Sequence, residues 1–399
     1  MKNRRLNKSL CFFFGVALFS AAFSCSAKES IIIGIDADMS SVAADGGNAI
    51  YRGAKIAIDE INTAGGILGR PLELVVKDHR GNPARGLQNL KAFNQEPNLA
   101  AVVGGVHTPV VLNELEYINQ NQILFLVPWA AGTPIVENGF DPNFVFRVSV
   151  RDSEAASVLL REAKQRGLTR VALVLERTGW GRSNLQSLSQ AAPKFDIEVV
   201  DVAWINWRQT TFIDEIQQIV ASGAEGVVLV ANAPEGAVVL RDSLENEMLS
   251  KVPFISHWGI AAGNFVDELG LQKLRLLDLH VLQTFHFALP EVDQAIAQRV
   301  LSAYSSQFDS AVTKYTMTSQ VGVAHAYDLV HMLAKAIQQA QSIEPNAVRQ
   351  ALKELKSHKG LLKTYSTPFV DSNDALWAED YIMARYNDDG FLVPKQSTK

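Results

Sequence analysis

Cysteine is almost missing from this chain. Of its 399 residues only Cys11 and Cys25 are cysteines, and both lie within the first 27 residues. A chain that begins after Ala27 would have no thiol, which excludes disulfides, thiolate metal sites and cysteine nucleophiles. The segment itself carries four basic residues, then an apolar stretch, then small residues, which is the pattern of a secretory signal. We therefore predict a signal peptide over residues 1–27 and a periplasmic mature chain.

A membrane-spanning helix is one alternative for this segment. Such a helix needs about 20 apolar residues, and the run CFFFGVALFSAAFS is shorter. A lipid anchor on Cys25 is the other alternative. Lipoproteins usually carry Leu three residues before the modified cysteine, and Ala22 stands there instead. The lipid anchor stays open beside a free periplasmic chain.

An excess of positive charge is also missing. The formal net charge is -5, from 37 basic and 42 acidic residues, and loss of the four basic residues of the signal would bring it to −9. This balance gives no reason to expect a nucleic-acid partner. The chain is 47% hydrophobic and 20% charged, as globular proteins are. Its length predicts two domains rather than one.

Catalytic motifs are missing as well. The sequence contains no G-x-S-x-G, H-E-x-x-H, P-loop or G-x-G-x-x-G motif. Its eight His residues are scattered, and none stands near acids or other His at the spacing of a metal site. We therefore expect no metal, no cofactor and no enzymatic activity.

What is present is an alternation of strands and helices, clearest in the stretch AIDEINTAGGILGRPLELVVKD. Gly65 and Gly66 can adopt the left-handed conformation that ends a helix. The strand PLELVVKD follows and closes on Asp78, at the strand end where open α/β sheets place their clefts. The helix before the glycines shows one apolar face, formed by Ile50, Ala54, Ala57, Ile58 and Ile61.

The alternation continues along most of the chain. Short apolar strands such as AAVVGG, ILFLVP and RVALVLE are separated by predicted helices, and a strand-like run, AEDYIMARYN, comes last. Two successive sets of this kind predict an α/β protein with two doubly wound domains. The helices are predicted at 109–119, 153–166, 182–192, 211–222, 235–248, 291–307, 318–340 and 346–356.

The sequence resembles the type I periplasmic solute-binding proteins of the branched-chain amino acid (Leu/Ile/Val) family. The order of strand, loop, amphipathic helix and strand is the same, and the match is specific through about residue 140. The residues that carry the resemblance are Met39-Ser40, Gly47, Asn62, Gly65-Gly66, Asp78 and Asn82-Pro83.

This resemblance implies a type I periplasmic-binding-protein fold, in which three hinge crossovers join two lobes and ligand binds in the cleft between them. Lobe 1 would comprise residues 29–147 plus 285–378, and lobe 2 residues 148–284 plus 379–399. The function it implies is that of the solute-binding component of an ABC importer. The expected partners are a small-molecule ligand and a permease in the inner membrane, and the chain is expected to be a monomer.

The resemblance also assigns ligand contacts in lobe 1. Thr108 would hold a ligand carboxylate beside His107, at the start of helix 109–119, where free N–H groups favour an anion. A helix cap is the structural alternative for Thr108. The segment VPWAAGTPIV would offer carbonyls and a hydroxyl to the ligand's amine, through Trp129, Ala130, Ala131 and Thr133.

In lobe 2 two tryptophans take family positions. Trp180, in ERTGWGRS, is expected as an aromatic lid, although a lone Trp is more often a core residue. Trp258, in FISHWGIA, stands where the family has a Glu that pairs with the ligand's ammonium group. An acid elsewhere would have to replace that Glu, or the ligand lacks the amine. The residues near enough to be considered are Asp36, Asp38, Asp45, Asn232 and Glu235.

Three ligand classes stay open from these residues. The first is a carboxylate with an apolar or aromatic body, the second a cation in an aromatic cage, and the third an amino acid with a relocated acid. A periplasmic sensor that presents its closed form to a chemoreceptor or kinase is the alternative to the importer. A secreted hydrolase is disfavoured by the missing nucleophile motifs, and a DNA-binding repressor would need a helix-turn-helix where the signal peptide stands.

Overall fold

The computed structural model describes residues 29–395. The predicted signal peptide and the possible anchor at Cys25 lie outside these residues. Across the part of the chain that is described, no helix is both long enough and apolar enough to cross a membrane.

The first half of the chain builds a sheet of five parallel strands with helices between them. Its strands are β1 (Ile31–Ala37), β2 (Leu72–Asp78), β3 (Leu99–Gly104), β4 (Phe125–Val127) and β5 (Val145–Arg147). The helices are α1 (Ala44–Thr63), α2 (Pro83–Phe93) and α3 (Thr108–Gln120). The strand order is β2-β1-β3-β4-β5, so the chain winds outward from β1 in both directions.

A second, seven-stranded sheet follows. Its first strands, parallel to one another, are β6 (Arg170–Glu176), β7 (Glu198–Ile205), β8 (Gly226–Val230), β9 (Phe254–Ser256) and β10 (Leu279–Gln283). The helices of this part are α4 (Asp152–Gln165), α5 (Gly179–Ala191), α6 (Ile213–Ser222), α7 (Ala233–Leu244), α8 (Phe265–Leu269) and α9 (Leu271–Leu274).

The last third of the chain is mainly helical. It contains α10 (Gln294–Gln307), α11 (Gln320–Ala340), α12 (Pro345–Lys353), the short pair β11 (His358–Lys359) and β12 (Thr364–Tyr365), and the hairpin β13 (Ile382–Tyr386) and β14 (Leu392–Pro394). The full order of the second sheet is β14-β13-β10-β9-β8-β6-β7. The predicted α/β fold with two doubly wound sheets is confirmed.

The chain passes between the two sheets three times: after β5, after β10 and before β13. The last passage explains the lone strand at the end of the sequence. β13 lies antiparallel to β10, with Val281 opposite Ala384, and therefore belongs to the second sheet. The residue bounds of the two lobes stay a prediction.

The β1-α1-β2 unit follows the sequence closely. α1 ends at Thr63, and Gly65 and Gly66 both have positive φ, at 103° and 76°, as the double glycine predicts. Asp78 does end β2, and its carboxylate accepts the N–H of Met39 at 2.9 Å. This acid therefore ties down the loop after β1.

Several helix bounds differ from the prediction because caps decide them. α5 begins at Gly179 rather than at residue 182, since the Thr178 hydroxyl accepts the N–H of Trp180 at 3.2 Å. α10 begins at Gln294 rather than at residue 291, since Asp293 accepts two N–H groups of the first turn. Each cap satisfies N–H groups that the helix itself leaves free.

α11 packs directly against α1. The contact is close enough that a Cβ on Gly53 would lie 2.2 Å from the carbonyl oxygen of Val323. One methyl group at this position therefore forces the two helices apart.

We predict that Gly53→Ala lowers the free energy of unfolding by about 1–3 kcal/mol, the usual cost of overpacking. Gly46→Ala, in the same helix, is the matched control, because its Cβ would meet its nearest atom at 3.4 Å. Urea unfolding of both variants checks this. Equal stability of the two would contradict the packing described here.

Candidate functional site

A small cavity, of about 10 Å³, lies between the two sheets. Residues after β3 and β4 form one side of it, and residues at or after β6, β7, β8 and β9 form the other. Every contributing strand presents its C-terminal end, where open parallel sheets place ligand sites. The first side consists of Val106, His107, Thr108, Pro109, Trp129 and Ala131, and the second of Glu176, Trp180, Trp207, Asn232, Trp258 and Gly259.

Most of the residues proposed from the sequence lie in this lining. They are His107, Thr108, Trp129, Ala131, Trp180, Asn232 and Trp258. Their role as ligand contacts stays a prediction, but the fold brings them together from positions up to about 150 residues apart.

Ala130 and Thr133 do not line the cavity. The carbonyl of Ala130 accepts Arg147 Nη1 at 3.3 Å, and the hydroxyl of Thr133 accepts the N–H of Ser153 at 3.0 Å. Both groups thus hold neighbouring segments together instead of facing a ligand amine. Asp45 is also outside the lining, in the first turn of α1.

Trp129 and Trp258 form one wall of the cavity. Their ring centroids are 5.1 Å apart at an interplanar angle of 31°, and both side chains are buried. Gly322 makes room for Trp129, because a Cβ there would lie 2.9 Å from the indole ring. The two rings pack against each other at a tilt, so they present one apolar surface to the cavity.

His107 and Thr108 open α3 on the first side. His107 Nε2 lies 3.0 Å from Asp38 Oδ2, and Thr108 Oγ1 accepts the N–H of Gly132 at 3.1 Å. Burial opposes ionisation of Asp38, but the bonds from His107 and from backbone N–H groups outweigh it and lower its pKa. The Asp38 carboxylate therefore orients His107 and is not itself free for a ligand.

The sequence suggested that Trp180 lies in a loop. In the structure it lies in the first turn of α5. Its Nε1 donates to Asp152 Oδ1 at 3.2 Å, and its ring packs at right angles on His257, with centroids 5.0 Å apart. His257 in turn accepts the N–H of Trp258 through Nδ1 at 2.9 Å. These contacts fix Trp180 at the cavity wall, and its role as a lid stays a prediction.

Glu176 and Trp207 are cavity residues that the sequence analysis missed. Oε1 of Glu176 accepts both the N–H and Nδ2 of Asn232 at 2.7 Å, and Oε2 accepts Trp207 Nε1 at 2.7 Å. Burial, together with the nearby Glu235 carboxyl, raises the pKa of Glu176 to about 8 against these bonds. A usable signal was present, since Glu176 is an acid at the C-terminal end of its strand, as Asp78 is.

The other acids considered from the sequence lie away from the cavity. Asp36 Oδ1 accepts Asn89 Nδ2 at 2.8 Å, and burial raises its pKa to about 7. Glu235 accepts the N–H of Arg208 at 2.9 Å and stands outside the lining. Burial raises the pKa of both Glu235 and Asp45. Glu176 is thus the acid that the lining contains.

Metal binding finds no support in the described residues. Between residues 29 and 395 no group of three or more His, Cys, Asp or Glu side chains is arranged to hold a metal ion. A second cavity, of about 100 Å³, lies near the passage after β10 and is lined mainly by apolar side chains such as Phe265, Phe285 and Tyr386. Its lining also contains the buried polar side chains of Gln283, His286 and Gln320.

The pKa of Glu176 leads to a prediction for the free protein. Folded Glu176 keeps its proton to about pH 8, whereas the unfolded side chain loses it near pH 4.3. Wild-type protein should therefore lose stability relative to Glu176→Gln as pH rises between these values, by at most about 1.4 kcal/mol per pH unit. Urea unfolding at several pH values measures the difference.

Glu247→Gln is the control for this experiment, because that side chain is 91% exposed. Its stability should run parallel to wild type over the same pH range. If the stability of Glu176→Gln also runs parallel to that of wild type over this pH range, the pKa of Glu176 in the folded protein is not raised.

A family model described as "Periplasmic binding protein" matches residues 30–390 of this chain. Among its relatives, Leu/Ile/Val-binding protein homolog 1 of Brucella abortus (strain 2308) is 25% identical over 360 residues, which is 88% of this chain and 89% of the relative. Leu/Ile/Val-binding protein BraC3 of Rhizobium johnstonii is 30% identical over 167 residues, 41% of this chain and 44% of BraC3.

Solved structures share the fold. A periplasmic binding protein type 1 from Bordetella pertussis Tohama I superposes with a TM-score of 0.82 at 19% identity, over 92% of this chain and 100% of that one. LivJ of Streptococcus pneumoniae, in complex with isoleucine, superposes with a TM-score of 0.77 at 20% identity, over 92% of this chain and 100% of LivJ. A solute-binding protein from R. palustris, in complex with 4-hydroxybenzoate, superposes with a TM-score of 0.74 at 18% identity, over 92% of this chain and 95% of that one.

Proposed function

This chain belongs to the periplasmic binding protein family, and on that premise we propose that it is the solute-binding component of an ABC importer, which captures a small organic carboxylate or amino-acid-like solute. The lobes would be residues 29–147 plus 285–378 and residues 148–284 plus 379–399. The chain would act as a periplasmic monomer, without catalysis, and deliver the solute to an inner-membrane permease.

The observation that carries the proposal is the two-sided lining of the cavity. One side comes from the first sheet and the other from the second, and the chain passes between the sheets at three places. A solute that contacts both sides is bound better when the sides are close. Such a solute shifts the protein toward its closed form, which is the signal that a transporter reads.

The carboxylate of the solute would lie at the start of α3. Thr108 is the first residue of that helix, and its preceding residue, His107, makes no side-chain cap to the helix. Pro109 has no N–H, and those of Val110 and Val111 donate to the His107 carbonyl at 3.1 and 3.3 Å. The N–H of Thr108 is therefore the group that the start of α3 would offer, and the helix dipole favours a negative charge there. The Thr108 hydroxyl, which accepts one N–H from Gly132, still has its own proton to donate.

The body of the solute would lie on the wall formed by Trp129 and Trp258. Because these rings pack against each other at a tilt, they form one apolar wall that suits a flat or branched apolar group. This arrangement favours an apolar carboxylate or amino acid over a quaternary ammonium ligand, which needs aromatic faces on several sides.

The proposal is tested by a thermal-shift screen of the purified protein against amino acids, aromatic and aliphatic carboxylates, amides and quaternary amines. A ligand present at about 100 times its dissociation constant adds about 2.7 kcal/mol of stability. We expect at least one carboxylate-bearing solute to raise the unfolding midpoint. A rise with quaternary amines alone would contradict the carboxylate site.

With the ligand found, Thr108→Val should weaken binding by roughly 10–100-fold, because a hydrogen bond to a charged group contributes about 1.5–3 kcal/mol. Thr133→Val is the matched control. Its hydroxyl also accepts one backbone N–H, but it stands outside the cavity. Isothermal titration calorimetry of both variants measures the effect, and equal losses in the two would show that Thr108 does not touch the solute.

A further inference from the structure

The second cavity, near the passage after β10, forms where three parts of the chain meet. Phe285 and His286 belong to that passage, and Met317, Thr318 and Ser319 precede α11. The other lining residues come mainly from β10, from the segment after β9 with α8, and from the hairpin of β13 and β14. We call it the hinge cavity. Its lining shares no residue with that of the cavity between the sheets.

The walls of the hinge cavity belong to both halves of the molecule. α11 packs against α1, which lies beside the first sheet, whereas β10, β13 and β14 belong to the second sheet. Hydrogen bonds join these parts: Ser319 Oγ donates to the carbonyl of Ala261 at 2.9 Å, and His286 Nε2 donates to the carbonyl of Leu392 at 3.0 Å. A molecule in this cavity therefore contacts a passage between the sheets and the elements on either side of it.

The lining of the hinge cavity is uncharged. It contains no Asp, Glu, Lys or Arg. His286 accepts the N–H of Ala288 through Nδ1 at 3.0 Å, and its Nε2 is bonded to Leu392. Burial lowers the pKa of His286, so its imidazole is neutral at pH 7. A charged occupant would be desolvated without a counter-charge, and the cavity therefore suits an uncharged molecule.

Size and surface limit the occupant to about one ring. The cavity has about 100 Å³ and opens beside Tyr315, which is 47% exposed. An apolar cavity of about 150 Å³ takes up benzene. The rings of Phe265 and Tyr386 lie in its wall, with centroids 5.4 Å apart at 30°, and Phe285 adds a third ring. Aromatic walls of this kind favour an aromatic occupant.

One buried polar group of the lining is left for a ligand. Both ends of the Gln320 amide are bonded to backbone groups, at 2.9 and 3.1 Å. Gln283 is 7% exposed, and its Nε2 donates to the carbonyl of Leu282 at 2.6 Å. Its Oε1 accepts no hydrogen bond from any of residues 29–395. A buried amide oxygen favours an occupant that supplies the missing donor.

We propose that the hinge cavity is a second binding site, which takes an uncharged molecule with one aromatic ring and one O–H or N–H donor, and that its occupant favours the closed form. The rings of Trp207 and His107, from opposite sides of the cavity between the sheets, have centroids 5.5 Å apart, so those sides are in contact. A molecule that fits the hinge cavity in this arrangement stabilises it. This site goes beyond the proposed function, since its occupant is not the captured solute.

The first experiment measures binding of phenol to residues 28–399 by calorimetry. Wild-type protein should bind phenol with a dissociation constant of roughly 1 mM or below, as expected for so small a ligand. Ala384→Leu fills the hinge cavity and should weaken binding at least about tenfold. Ala131→Leu is the matched control, because that alanine is also 2% exposed but lines the cavity between the sheets.

Phenol affinity should be unchanged in Ala131→Leu. A loss in Ala131→Leu with none in Ala384→Leu would place phenol between the sheets and overturn the inference. Wild-type protein that binds no phenol overturns it as well.

A second variant tests the hydrogen bond without filling the cavity, and it serves even where Ala384→Leu does not fold. Gln283→Met keeps the length of the side chain and removes the amide oxygen. The ratio of phenol affinity to toluene affinity should fall by about 3–10-fold relative to wild type, while toluene itself binds equally well. An unchanged ratio contradicts the role of Gln283 and overturns the assigned ligand class.

Small-angle X-ray scattering tests the link to closure. Saturating phenol should lower the radius of gyration of the wild-type protein and leave that of Ala384→Leu unchanged. Bound phenol without a change in the radius of gyration overturns the proposal that this site favours the closed form. Neither failure touches the proposed function, which depends on solutes that bind between the sheets.

Discussion

A buried ion pair between Arg147 and Asp374 holds the frame on which the cavity is built. The guanidinium group of Arg147 is fully buried, and it donates to both Asp374 oxygens and, at 2.9 Å, to the carbonyl of Gly132. Backbone hydrogen bonds to Asn373 and from Ala375 flank the pair. One cation thus joins the end of β5, the segment before β13 and the cavity segment after β4. Loss of one partner of such a pair costs about 3–5 kcal/mol.

This ion pair fixes the segments that it joins and leaves the passages between the sheets free to move. The segments at Arg147 and Asp374 precede two of the three passages between the sheets, so hinge motion can occur beyond them while the cavity segment after β4 keeps its place. In the proposed closure, the solute would contribute contacts to both sides of the cavity that the empty closed form lacks. On this proposal the apparent affinity would include the cost of closure, because only the closed fraction of the protein would present both sides of the cavity.

The sequence predicted local features well and long-range pairs poorly. The double glycine at Gly65 and Gly66 ends α1 as expected, because a left-handed turn depends on a few neighbouring residues. Trp258 was placed in the cavity by its resemblance to a family position. Glu176 and its bonds to Trp207 and Asn232 were not found, since these residues come from three strand ends that only the folded sheet brings together. Helix starts differed where a cap residue, not hydrophobic periodicity, decides the boundary.

The central claim is that a solute bound between the two sheets closes the molecule. Residues 28–399 contain no cysteine, so spin labels can be attached at Arg85→Cys and Thr210→Cys. Both positions are exposed, Arg85 in α2 after a strand of the first sheet and Thr210 after β7 of the second. The distance between the labels would be measured by double electron–electron resonance with and without saturating ligand. The account predicts that ligand shortens the mean distance and narrows its distribution. An unchanged distribution at saturating ligand would contradict closure.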